Sequence, residues 1–175
     1  MNNLDTFFEE TRFDSQIQEA LAKEIIFSGT NFTGKISGFG LYTSWTINSS
    51  PDEFWIISLL TPEGKEELEA NEIYATGSWD GFDQPSDPEA SKITDNIYLK
   101  MWEVYEQICE ASQDEEKLNI DLNQFYETVM IRCAKLLIKS IPLIKENFDT
   151  TESFFISIAE HDETEEAMTR IKSLE

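Results

Sequence analysis

The sequence predicts an α+β protein with a small, mostly antiparallel sheet of three to four strands and about five helices. Residues 35–60 alternate apolar and polar side chains, which is typical of strands, while the long segments around them repeat apolar residues at helical spacing. The predicted helices and strands are also segregated along the chain, in the order α-β-β-α-α-α-β-α. Segregation of this kind favours an α+β over an α/β arrangement.

The first predicted helix covers residues 3–26, and its apolar stripe changes phase part-way. The two sets of apolar residues lie on nearly opposite sides of the helix: Leu4, Phe7 and Phe8, then Phe13, Ile17, Ala20 and Leu21. Either the helix bends near residues 13–15, or its first turns pack against another part of the fold or a second copy of the chain. Residues 28–31, Ser-Gly-Thr-Asn, are expected to end the helix.

Residues 35–60 predict two strands that pair across a turn at residues 48–52. One face of the first strand carries Phe39 and Leu41, whereas the other face carries Gly38 and Gly40. Two glycines on one face indicate the close approach of another backbone or helix, or a bulge. The second strand, residues 54–60, is apolar on both faces, which predicts a central strand covered on both sides.

The remaining elements follow from capping residues and apolar spacing. Thr61 and Pro62 are expected to cap and start a short helix. Asp121 and Gln124 fit a capping box for a later helix that Pro142 ends. The predicted segments are a helix from 62 to about 70, an extended segment at 73–77, an irregular stretch at 78–88, helices at 88–111 and 121–140, a strand at 153–159 and a helix ending near 172.

The net charge is the unusual feature of the composition. The 175 residues contain 35 acidic and 13 basic side chains, a formal net charge of −22, with 40% hydrophobic residues. This length and hydrophobic content suit a single domain over residues 1–175. So acidic a surface repels nucleic acid and anionic membranes and attracts basic proteins. The alternative is that the charge only keeps the protein dispersed.

We expect a soluble, cytoplasmic protein. Cys109 and Cys133 are too few for a disulfide scaffold and fall within predicted helices. The first residues carry acids where a signal peptide needs a basic flank. No run approaches the roughly 18 apolar residues of a membrane span.

Two motifs imitate ligand sites without completing them. Residues 29–35 have the spacing of a phosphate-binding loop, but Ile36 stands where Ser or Thr must hold magnesium, and a strand follows. Asp80, Asp83 and Asp87 suggest calcium, but Phe82 occupies the third position of an EF-hand loop that would start at Asp80. We therefore expect neither a cofactor nor a metal.

The candidate partner-binding residues come from two acid-rich segments. Residues 52–95 hold 12 acids against Lys65 and Lys92, and an aromatic residue in such a polar loop can anchor a partner. Packing within the chain is nevertheless the favoured interpretation for Trp79. The candidates are Trp79, Asp80, Asp83 and Asp87, with Glu160, Asp162 and Glu163 after the last strand as co-participants.

Three short motifs resemble an uncharacterised bacterial family, domain of unknown function 4303. They are Phe39-Gly-Leu-Tyr-Thr43 before a second strand and an acidic helix, Trp79-Asp80 ahead of the long helices, and the late strand 154–162 running into an acidic turn. The chain lacks a second tryptophan soon after Trp79, where it departs from the family pattern. The resemblance implies one α+β domain without established catalysis. Some similar small acidic bacterial proteins are immunity partners of secreted toxins.

The leading hypothesis is a non-enzymatic cytosolic binding protein for a basic protein partner, such as an immunity protein that masks a basic toxin domain. A rival hypothesis is a small hydrolase or metal-dependent enzyme built on carboxylates and His161, since a carboxylate neighbour can tune a histidine for acid–base chemistry. A third is a structural domain, monomeric or homodimeric, whose charge serves solubility alone.

Overall fold

The structure, a computed structural model, describes residues 2–43, 54–69, 72–112, 114–160 and 165–174, with the backbone alone for residues 2, 3 and 82. The helices are α1 (Asn2–Glu10), α2 (Phe13–Asn31), α3 (Pro62–Glu67), α4 (Pro88–Ala111), α5 (Glu115–Lys139), α6 (Ile141–Asn147) and α7 (Glu165–Lys172). The strands are β1 (Lys35–Thr43), β2 (Ile56–Leu60), β3 (Gly81–Gln84) and β4 (Asp149–Glu160). The α+β prediction is confirmed.

The sheet is mixed, with the strand order β3-β2-β1-β4. β1 pairs antiparallel with β2, as the hairpin pattern predicts, whereas the predicted turn at residues 48–52 lies outside the described residues. β2 also pairs antiparallel with β3, which the sequence did not predict. β4 instead runs parallel to β1, so the sheet is not purely antiparallel. A parallel pair needs a long crossover connection, which the helices between β2 and β4 supply. β2 is central and buried, as predicted.

The first predicted helix is two helices. The chain breaks at Arg12, whose backbone is left-handed (φ 48°, ψ 43°). Such a conformation costs a non-glycine residue about 1 kcal/mol or more. The turn brings Phe7 and Phe8 against Phe13, with ring centroids 5.7 and 5.1 Å away, and Phe7 also contacts Phe125. The apolar residues of α1 therefore pack within the same chain. The phase change does not require a second copy of the chain.

Several predicted boundaries differ from the structure. α2 continues to Asn31 because Gly29 stays helical and leaves room for the backbone of Asn147. α5 begins at Glu115, where the Asp114 carboxylate caps the Lys117 N–H, and not at the predicted capping box. Pro142 lies in the first turn of α6 instead of ending the preceding helix. Gly81–Gln84 forms an edge strand within the predicted irregular stretch, whereas residues 76–78 form a 3-10 turn.

One face of the sheet carries the hydrophobic core. Side chains alternate along each strand, so one face presents apolar residues to the helices. α2, α4 and α5 pack over that face, and α4 contacts α2 more extensively than it contacts α5. The strand residues in this core cluster include Phe39, Leu41, Ile57, Leu59, Ile156 and Ile158.

Arg170 ties α7 to the edge of the sheet. Its side chain is 2% exposed and donates to both oxygens of Glu127 on α5, at 3.1 and 2.8 Å. Its Nη1 donates to the backbone carbonyl of Ile158 on β4, at 3.0 Å. One guanidinium therefore joins three elements at the outer strand, in the fork geometry that suits arginine.

The other face of the sheet is closed by the chain's own residues 72–80. A Cβ added at Gly40 would lie 2.4 Å from the Thr76 methyl group and 2.8 Å from the Trp79 ring. A Cβ at Gly38 would lie 3.0 Å from the same ring. The two glycines therefore permit a close approach, one of the outcomes expected from the sequence.

We expect Gly40→Ala to lower the free energy of unfolding by about 1–3 kcal/mol, because the added methyl group overpacks the Thr76 contact. Gly38→Ala is the matched control, since its neighbours need to move by only a few tenths of an ångström. Urea denaturation measures both. Equal losses in the two variants would contradict the close-packed account of Gly40.

Candidate functional site

Trp79 lies in the interior. It is 3% exposed, its ring meets Phe155 edge-on at 5.6 Å, and its indole N–H donates to the Ile73 carbonyl at 3.0 Å. The favoured interpretation, packing within the chain, is confirmed. The glycine face of β1 leaves a slot that the indole fills, so little of the ring is exposed to a partner.

Asp80 is committed to the start of α3. Its carboxylate accepts hydrogen bonds from the Thr61 hydroxyl and from the Thr61 backbone N–H, the latter at 3.0 Å. The Thr61 oxygen in turn accepts from the Gly64 N–H at 3.0 Å, and a Cβ at Gly64 would collide with Asp80. Asp80 is exposed, but its carboxylate binds Thr61, the residue that caps α3.

Asp87 caps α4 and also connects α4 to α2. Its Oδ1 accepts from the backbone N–H groups of Glu89 and Ala90, each at 2.9 Å. Its own N–H donates to Glu24, a carboxylate that is 1% exposed. Asp83 differs, because it is exposed on β3 with a left-handed backbone (φ 61°). Of these three aspartates, Asp83 alone is not engaged in a cap.

Glu160 lies at the opposite edge of the sheet from Asp83. It ends β4, where it pairs with Thr43 and is half-buried. β3 and β4 are the two outer strands, so three strand spacings, about 14 Å, separate them. Asp83 and Glu160 therefore do not belong to one site. Asp162, Glu163 and His161 lie outside the described residues.

The described residues offer little for metal or nucleophilic chemistry. Among them, no group of three or more His, Cys, Asp or Glu side chains is placed to hold a metal ion. Burial raises the pKa of the Cys133 thiol, with a smaller contribution from Asp14, and the side chain is fully buried. A raised pKa disfavours the reactive thiolate.

An open hollow of about 470 Å³ adjoins the turn between α1 and α2. Arg12 and Arg132 line it together with acids that include Asp14. The Arg132 guanidinium lies 3.8 Å over the Phe8 ring and pairs with Asp14 at 3.2 Å, so it is already occupied. The Ser15 hydroxyl in this lining donates to the Arg12 carbonyl at 2.9 Å, so it is engaged in the turn.

The exposed tryptophan of the described chain is on α4. Trp102 is 37% exposed, and Leu99, one turn before it, is 55% exposed. The Trp102 indole N–H donates to Glu106 at 3.1 Å, and its ring contacts Tyr105 with centroids 5.0 Å apart. The ring is thus held in one orientation at the surface.

These two apolar residues belong to a line of five exposed side chains that we call the α4 stripe. Its members are Asp95, Leu99, Trp102, Glu106 and Glu110. Their spacing of three and four residues places them on one side of the helix. α4 has no basic residue in its last turn. Carboxylates there oppose the helix macrodipole, by typically about 0.3–1 kcal/mol each, so they do not serve helix stability.

The apolar stripe in the sequence of α4 runs through Ile97 and Met101 with Trp102 alongside and predicts a tryptophan in the core, whereas the structure exposes it. Each residue turns a helix by about 100°, which sets Trp102 about 100° and Leu99 about 160° from Met101. Met101 is 3% exposed and marks the centre of the buried face. The angular spacing along α4 therefore predicts that Trp102 and Leu99 are exposed. The breadth of the apolar stripe made this exposure hard to recognise.

No protein-family model matches the chain, and no curated protein or solved structure is significantly similar to it. The resemblance to domain of unknown function 4303 accordingly stays a proposal. In the described part of the chain, no helix is long and apolar enough to cross a membrane. Function must therefore be argued from the surface itself.

Asp80→Asn should lower the free energy of unfolding by about 1–2 kcal/mol, because it weakens charge-assisted hydrogen bonds to Thr61. Asp83→Asn makes the same chemical change at an exposed residue, and asparagine tolerates the left-handed backbone there. This control should change the free energy of unfolding by less than about 0.5 kcal/mol. Chemical denaturation compares them. An equal effect would refute the capping role of Asp80.

In the native protein, a disulfide reagent should modify Cys109 before Cys133, because Cys109 is partly exposed and Cys133 is buried. The reagent releases a chromophore as each thiol reacts, so the rates of release distinguish the two thiols. In Cys109→Ser, the remaining thiol should react only as fast as the protein unfolds. Rapid reaction of both thiols in the native protein would rule out this burial.

Proposed function

We propose that the protein is a non-enzymatic cytosolic binding protein whose partner is a basic protein. The observation that carries the proposal is a net charge of −22 displayed on exposed carboxylates. Potentials of this sign steer basic proteins into encounter and repel nucleic acid and anionic membranes.

The end of α4 and the start of α5 carry a group of exposed acids. Six exposed acids occur between residues 103 and 116, where Lys100 and Lys117 are the flanking bases. The six are Glu103, Glu106, Glu110, Asp114, Glu115 and Glu116. Only part of this charge is used internally, since Glu103 pairs with Lys100 and Asp114 caps α5. The rest is available to a partner.

The finer proposal is an immunity protein that occludes the positive active-site cleft of a toxin domain. The resemblance to domain of unknown function 4303 supports it, because some similar small acidic proteins protect against secreted toxins. Asp83, Glu160, Asp162 and Glu163 stay proposed partner contacts. Trp79, Asp80 and Asp87 leave the proposed surface because they pack or cap within the chain.

The proposal predicts that the product of the adjacent gene binds this protein and that added salt weakens the binding, because the charges attract across water. Calorimetry at low and physiological salt measures the affinity of the two proteins for each other. Co-expression tests whether this protein restores the growth of cells that the adjacent gene product inhibits. Asp83→Lys should slow association if the β3 edge faces the partner.

An unrelated basic protein of similar charge is the control. It should bind weakly at low salt and be released at physiological salt. If the adjacent gene product behaves in the same way, its binding is non-specific and the immunity proposal fails. If neither protein binds at low salt, the proposal of a basic partner fails as well.

A further inference from the structure

The α4 stripe combines the features of a docking surface. Leu99 and Trp102 form an exposed apolar centre, with Asp95 before them and Glu106 and Glu110 after them. Tryptophan is enriched among the residues that dominate binding energy at protein interfaces. An apolar centre flanked by charged residues matches the general anatomy of such interfaces.

We propose that the α4 stripe is the docking surface for a cationic amphipathic helix of the partner protein. This inference rests on the proposed function, and it names the surface and the chemistry recognised. The partner's apolar side chains cover Leu99 and Trp102, and its Lys or Arg side chains reach the acids at either end. Charge complementarity selects this occupant, since a second copy of this acidic chain would bring like charges together.

The geometry sets a spacing on that helix. Asp95 and Glu106 are eleven positions apart on α4, which is about 16 Å along the helix axis at about 1.5 Å per residue. Leu99 and Trp102 lie between them. A helix aligned with α4 therefore needs basic residues about three turns apart, with apolar residues at spacings of three and four between them.

The Trp102 side chain is already restricted in the unbound protein. The hydrogen bond to Glu106 and the contact with Tyr105 restrict the indole. A side chain already restricted loses less conformational entropy on binding. The indole–Glu106 bond also keeps that carboxylate beside the apolar centre, where an incoming cation meets it.

The test uses the full chain and two synthetic peptides of identical Leu and Lys composition. One peptide places leucines along one helical face with lysines at the predicted spacing, and the other has the same residues scrambled. We expect the amphipathic peptide to bind more tightly and to shift the Trp102 indole N–H resonance, assigned through Trp102→Phe. That resonance reports on the stripe without a disabling substitution.

Leu99→Ala plus Trp102→Ala should weaken binding of the amphipathic peptide at least about tenfold, because it removes the apolar centre. Ile26→Ala plus Ile120→Ala is the matched control, since these residues are 50% and 58% exposed elsewhere. The control should retain affinity within about twofold.

Glu106→Gln plus Glu110→Gln should reduce the salt dependence of binding. Circular dichroism confirms that each variant is folded.

Three results would overturn the assignment. If the amphipathic peptide binds the wild type and the Leu99 and Trp102 variant equally, another surface binds cations and the broader function survives. If neither peptide binds at low salt, this surface and the proposed function fail together. If sedimentation shows a dimer of the wild type that the double variant abolishes, the occupant is a second copy of the chain.

Discussion

The indole of Trp79 rests on the glycine face of β1, and the second side of the sheet depends on this contact. The Thr76 methyl group and the indole occupy the space that side chains at Gly38 and Gly40 would need. The segment that carries them is thereby held against the sheet and leads directly into β3. The same placement puts Asp80 over the start of α3. The two glycines on one face of β1 therefore form a packing surface for a distant segment of the chain.

This contact also changes where function can lie. Asp80 and Asp87 each complete a helix start, so two of the acids in the predicted binding loop serve the fold. Several of the scarce bases are similarly used within the chain: Lys23 pairs with Glu89, Arg132 with Asp14 and Arg170 with Glu127. Much of the negative charge that remains is on exposed helix faces. On α4 it adjoins two exposed apolar side chains, Leu99 and Trp102.

α4 has two sides with different tasks. Its buried side, including Ile97 and Met101, packs in the core, and Asp87 fixes its first turn. Its outer side holds Trp102 on a helix anchored along its length. Interaction residues on a rigid element keep their geometry better than residues on a loop. The acids near the end of α4 cost some helix stability, and departures of this kind from local rules are expected at functional surfaces.

The amino-acid sequence by itself determined the class of the fold, the antiparallel pairing of β1 with β2, the central position of β2 and the cap at Thr61. These features depend on local periodicity and local hydrogen bonds, which neighbouring residues specify. Only the tertiary structure decided that β4 runs parallel to β1, that Gly81–Gln84 joins the sheet, which residues bury Trp79, and that Trp102 is exposed. Those outcomes depend on which distant segments meet. A tryptophan in a polar loop is buried when two glycines far away in the chain leave it a slot, and a tryptophan on an amphipathic helix is exposed when other residues already fill the core.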